Sequence, residues 1–161
     1  MILSIPARFA FIVAATALIL SGAAITAQQN VEVENFVPVT DAMLQNPSPD
    51  DWLMWRRTLD GWGYSPLDQI TRDNVSDLRL VWTRALGPGA QEGTPLAYDG
   101  WLYMPNPNEH VQAIDAVTGD LVWEYRRDIP EDVPAVMGGL TENNRNIAIF
   151  GNLIIDTAND D

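Results

Sequence analysis

Apolar and polar positions alternate along short runs that tight turns interrupt, a strand period rather than a helical one. The clearest run is Ala113–Trp123, Ala-Ile-Asp-Ala-Val-Thr-Gly-Asp-Leu-Val-Trp. Gln112-Ala113-Ile114 ends one predicted strand, Asp115–Asp120 makes a turn, and Leu121–Tyr125 is the next strand. Gly119 can take the positive φ that such a turn needs. Trp123 falls on a defined face, with a large apolar body to bury and one indole N–H to satisfy. Upstream, Glu92–Met104 reads as a hairpin around an Asp99-Gly100 turn, with Pro105–Asn108 as a loop and Val111–Tyr125 continuing the sheet.

Before these strands the pattern is less regular. Residues 28–50 are polar, carry Pro38, Pro47 and Pro49, and read as a lead-in arm with a short helix near Asp41–Leu44 that Asp41 could cap. Asp51–Arg57 and Leu80–Arg84 are predicted strands, separated by glycine turns and a brief helical turn near Thr71–Leu78. After them the chain repeats itself. Pro95–Tyr103 aligns without gaps on Asn146–Ile154, Ala97 meeting Ala148, Gly100 meeting Gly151 and Leu102 meeting Leu153. The offset is 51 residues, a period that fits one blade of a β-propeller. The predicted class is all-β, with residues 51–161 holding less than two blades and the second copy stopping mid-blade at Asp161.

Composition narrows the chemistry. The 161 residues are 47% hydrophobic and 19% charged, a globular balance. Formal net charge is -13 and every fixed cation is arginine, so nucleic acid is not an expected partner. The absence of cysteine excludes disulfides, thiolate metal sites and cysteine nucleophiles. Residues 1–27 have the layout of a secretory signal peptide: Arg8, an apolar run Phe9–Leu20, then small residues to Ala27. The apolar run is short for a membrane span, so the chain is expected to be exported, with cleavage after Ala24 or Ala27 and no stable span afterwards.

Two polar residues stand at the starts of equivalent strands. Glu92 lies in Gln-Glu-Gly-Thr-Pro-Leu and Arg145 in Asn-Asn-Arg-Asn-Ile-Ala. On the residues alone, each is an exposed loop charge or a ligand-binding group. His110 stands alone in a predicted loop and is assigned no role, and Asp156, Asp160 and Asp161 match no calcium loop and read as solvated.

Ala-x-Asp-Ala-x-Thr-Gly-x-x-x-Trp at 113–123 closely resembles the tryptophan-docking repeat of the pyrroloquinoline quinone (PQQ) quinoproteins. The order of Trp55, Gly63, Tyr64, Ser65, Leu67, Ile70, Asn74, Val75, Leu78 and Trp82 is similar to the first segment of PQQ alcohol dehydrogenases of methanol and ethanol type. The resemblance implies an eight-bladed propeller in which Trp123 packs on the neighbouring blade. It implies that Glu92, in Glu-Gly-x-Pro-Leu, reaches the edge of PQQ, and that Arg145, in Asn-Arg, hydrogen-bonds the reactive quinone oxygens. It implies oxidation of an alcohol to an aldehyde or ketone in the periplasm, with calcium or a lanthanide and a c-type cytochrome as electron acceptor. The acidic surface would suit docking to that acceptor. The family's catalytic Asp base and metal ligands would map beyond Asp161, so the chain is expected to be an N-terminal fragment, inactive alone. Many members also carry adjacent cysteines six and five residues before that Arg. Gly139 and Leu140 stand there, which leaves the substrate alcohol open. Two alternatives from other classes are a non-catalytic PQQ-repeat scaffold of the outer-membrane assembly-factor type, which has no use for Glu92 or Arg145, and a non-functional gene remnant.

Overall fold

A computed structural model describes residues 35–130, 132 and 144–157. The predicted signal peptide, residues 28–34 of the arm, Gly139 and Leu140, and Asp160 and Asp161 lie outside the described residues. The alternating runs fold as expected. Strands β1 (Leu96–Tyr98), β2 (Trp101–Asn106), β3 (His110–Asp115) and β4 (Leu121–Arg126) form one antiparallel sheet in sequence order. Strands β5 (Ala148–Phe150) and β6 (Leu153–Ile155) form a second antiparallel pair. Asp99 and Gly100 both take positive φ, 51° and 79°, the conformation of a two-residue hairpin turn that matches strand twist. Strand β2 runs two pairs further than the proline pattern suggests, because Pro105 pairs with Val111 and Asn106 with His110. The predicted loop shrinks accordingly to Pro107–Glu109.

The turn at 115–120 is built by its own polar groups. Asp115 accepts from the Val117 and Thr118 amides at 2.8 Å each. These bonds hold its carboxyl below the usual range. Gly119 has φ 77° and lies against the indole of Trp82, where an added Cβ would come within 2.6 Å of the ring. Trp82 also donates its indole N–H to the Ala116 carbonyl at 3.1 Å, and Arg84 donates to the Gly119 carbonyl at 3.3 Å.

Leu80–Arg84 is therefore not a strand but an extended segment docked on that turn. No strand lies beside it among the described residues, and Val81 is 82% exposed. Asp51–Arg57 likewise forms a single bridge, Trp52 to Ala97 on β1, followed by turns. The brief helical turn is a 3-10 turn at Val75–Asp77.

The arm staples the two sheets together. Val39 pairs with Gly151 at the β5–β6 turn through two 2.8 Å bonds, and Trp52 pairs with Ala97 through bonds of 2.8 and 2.9 Å. Between these points lies helix α1 (Asp41–Gln45). Its cap is Thr40, whose hydroxyl accepts from the Met43 amide, so Asp41 occupies the first turn instead. The buried core joins arm and sheets: Val39, Leu53, Leu96, Tyr103, Ala113 and Ile149 belong to one cluster. Trp123 and Ile154 both pack on its margin and line a common cavity.

Candidate functional site

Glu92 lies four residues before β1 and Arg145 three before β5. The parent hairpins are adjacent copies of one repeat, so the two side chains meet. Arg145 Nε donates to Glu92 Oε2 at 2.7 Å. The backbones are joined as well, Thr94 N donating to the Arg145 carbonyl at 3.3 Å. Both side chains remain open to a ligand, 66% exposed for Arg145 and 42% for Glu92. The pair occupies only Nε, so both terminal NH2 groups of Arg145 lack a partner among the described residues.

The motif residues beside Glu92 have a packing reason. Gly93 lies so close to β2 that an added Cβ would come within 2.8 Å of the Pro105 carbonyl oxygen. Gln91 donates to that same oxygen at 2.6 Å. Gly93 thus lets the strand approach β2 while Glu92, next to it, turns outward.

Each sheet also carries a polar network. On the β5–β6 side, buried Asn144 donates to Asp156 Oδ2 at 2.9 Å, and Asp156 Oδ1 accepts from Thr157 N at 3.0 Å. Burial pushes the Asp156 carboxyl up, against these two bonds. Asp156 is therefore an engaged, half-buried group rather than the solvated acid its sequence context suggests. The residues alone carried no signal for it, because the buried Asn144 amide that Asp156 satisfies is buried only by the fold.

In the four-stranded sheet, His110 stands in β3, not in a loop, and is 1% exposed. Its Nε2 lies 3.1 Å from Glu124 Oε2, which also accepts from Gln112 at 3.2 Å. Burial pushes His110 down and the Arg126 and Arg84 charges add to this, while Glu124 pulls it back up. The unfolded imidazole takes a proton near pH 6.5, whereas the folded one resists it. Stability from this group is full above that pH and is lost as pH falls through the folded value. The urea midpoint is expected to drop between about pH 7.5 and about pH 5.5, and His110→Gln to flatten that part of the slope. Equal slopes in both proteins would contradict the assignment.

Among the described residues no three His, Asp or Glu side chains cluster as a metal ion would require, and no helix is long and apolar enough to cross a membrane.

Residues 52–150 match the family described as PQQ: Glucose/ethanol/alcohol dehydrogenase, beta-propeller domain. The quinoprotein alcohol dehydrogenase PedH of Pseudomonas putida is 33% identical over 150 residues, 91% of this chain and 23% of that protein. The 1-butanol dehydrogenase (cytochrome c) of Thauera butanivorans is 40% identical over 73 residues, 45% of this chain and 11% of that protein. A solved europium-containing methanol dehydrogenase superposes with a TM-score of 0.64 at 29% identity, covering 73% of this chain and 21% of that one. The chain thus spans between 11% and 23% of the curated relatives it matches. The matching span contains both the four-stranded sheet and the Glu92–Arg145 pair, and the chain belongs to the β-propeller family of PQQ-dependent alcohol dehydrogenases.

Proposed function

We propose that this chain forms part of the PQQ-binding wall of an alcohol dehydrogenase that oxidises alcohols to aldehydes or ketones outside the cytoplasm. The observation that carries this reading is the 2.7 Å pairing of Glu92 with Arg145, two motif residues 53 positions apart that converge in an open site. The donor set fits PQQ, which presents carboxylates and adjacent quinone carbonyls. A guanidinium whose two NH2 groups have no partner among the described residues suits such oxygens, and a carboxylate that anchors its Nε fixes the direction from which they are offered. When bound, PQQ supplies the two-electron acceptor for the alcohol's hydride. Arg145 donates hydrogen bonds to oxygens that gain negative charge, and Glu92 keeps that donor in place. Calcium or a lanthanide and a c-type cytochrome complete the reading. The cytochrome-linked and europium-containing relatives support these two partners. The net charge of -13 supports docking to a basic acceptor.

PQQ titrated into the protein is expected to quench its tryptophan fluorescence saturably. Glu92→Gln and Arg145→Gln should each weaken binding. An unchanged binding curve in both variants would remove the site. Export is the second expectation, resting on Arg8, the apolar run and the small residues before Gln28. Mass spectrometry of a periplasmic extract should find a chain beginning at Ile25 or Gln28; an intact Met1 there would contradict it.

A further inference from the structure

We infer that Asp156 is a positioning residue for Arg145, acting through Asn144, an inference that rests on the quinone-binding reading of Arg145 only for its functional consequence. Arg145 lies outside the β5–β6 ladder, which spans three residue pairs and begins at Ala148. An exposed arginine on such a stub is free to sample many rotamers unless its backbone is held. Three contacts hold it. Ile147 is buried in the core on one side of Arg145, and the Arg145 carbonyl is tied to Thr94 N. On the other side, the Asn144 side chain is tied to Asp156, the first residue after β6.

The last contact closes the open end of the hairpin. It joins the residue immediately before Arg145 to the residue immediately after the returning strand. Asp156 is itself fixed, because its second oxygen accepts from Thr157 N. The carboxylate thus spans two donors, and loss of the acceptor oxygen that Asn144 uses loosens the segment that aims Arg145 at Glu92. Asn144 has a use for each of its neighbours: its buried amide satisfies Asp156, and its backbone delivers Arg145 to the site.

The test uses the full chain and two measurements. The first is the Arg145 Nε–H signal in a nitrogen–proton correlation spectrum at mildly acidic pH, assigned by its loss in Arg145→Lys. The ion pair with Glu92 is expected to shift this signal away from those of unpaired arginines. In Asp156→Ala and Asn144→Ala it should collapse onto them, while backbone amides of β2 and β3 keep their wild-type positions. Asp156→Asn, which keeps one acceptor oxygen, should retain the shift. A shifted signal in Asp156→Ala would overturn the inference, and so would collapse in Asp156→Asn with intact β2 and β3. The second measurement is the Kd for PQQ. Asp156→Ala should raise it roughly tenfold, the scale seen when a group that orients a ligand-holding residue is removed. Should Arg145→Gln leave PQQ binding unchanged while Asp156→Ala still collapses the signal, the positioning role stands and the quinone reading falls.

Discussion

On the proposed quinone-site reading, replacing Arg145 by alanine is expected to lower alcohol turnover about a hundredfold in a PQQ-loaded dehydrogenase that carries this segment. The wild-type guanidinium offers two NH2 groups that Glu92 does not occupy. Those groups are worth most where charge develops on oxygen and water has been displaced by the bound quinone. Losing one such preorganised donor costs about 2–4 kcal/mol of transition-state stabilisation. The fall should therefore appear in kcat at saturating alcohol, with weaker PQQ retention beside it. Arg145→Lys should recover only part, because an ammonium keeps the charge but cannot both anchor on Glu92 and present a planar fork. Alcohol-dependent dye reduction after reconstitution with excess PQQ measures the effect. Wild-type turnover in Arg145→Ala would show that the propeller holds its cofactor elsewhere.

The parts of the fold that could be read from sequence are those whose chemistry is local. Asp99-Gly100 specifies its own turn, and Asp115, Thr118 and Gly119 specify theirs through contacts within a few residues. The repeat at 51 residues carried the second hairpin in the same way. The Glu92–Arg145 ion pair was less accessible. Placement near the starts of adjacent repeats, two residues out of register, follows from the 51-residue period, but direct contact depends on how far apart the two hairpins sit. Opposite charges at nearly matching positions of neighbouring repeats were the available signal. The misreading of Leu80–Arg84 has a different cause. An alternating apolar run reports what its residues can pair with, and whether a partner strand lies beside it is not a local property. The same tripeptide Leu-Val-Trp occurs at 80–82 and 121–123, once docked on a turn and once within a sheet.

Leu53→Ala is expected to destabilise the protein more than loss of either tryptophan that dominates its neighbourhood in sequence. The stretch Trp52–Trp62 carries three indoles in eleven residues. The structure places its weight elsewhere. Trp55 is 55% and Trp62 78% exposed, whereas Leu53 is 1% exposed within the central cluster. The reason is the single bridge at Trp52, which fixes the strand phase so that the next side chain turns into the core. Beyond Leu53 the chain enters turns, and Trp55 settles on the surface under the Arg56 guanidinium, 4.7 Å from its ring centre. A fully buried leucine cut to alanine loses its transfer energy and leaves a cavity, together about 3 kcal/mol. At this chain length that corresponds to roughly 10 °C in melting temperature. Surface changes such as Trp62→Ala should stay within about 0.5 kcal/mol. Leu53 also sits between the arm and β1, so its loss should release the staple and expose the edge that Trp52 covers. Thermal melts of Leu53→Ala, Trp55→Ala and Trp62→Ala in parallel decide the order; a larger drop for Trp62→Ala would mean that the indole is buried and the phase of the bridge is wrong.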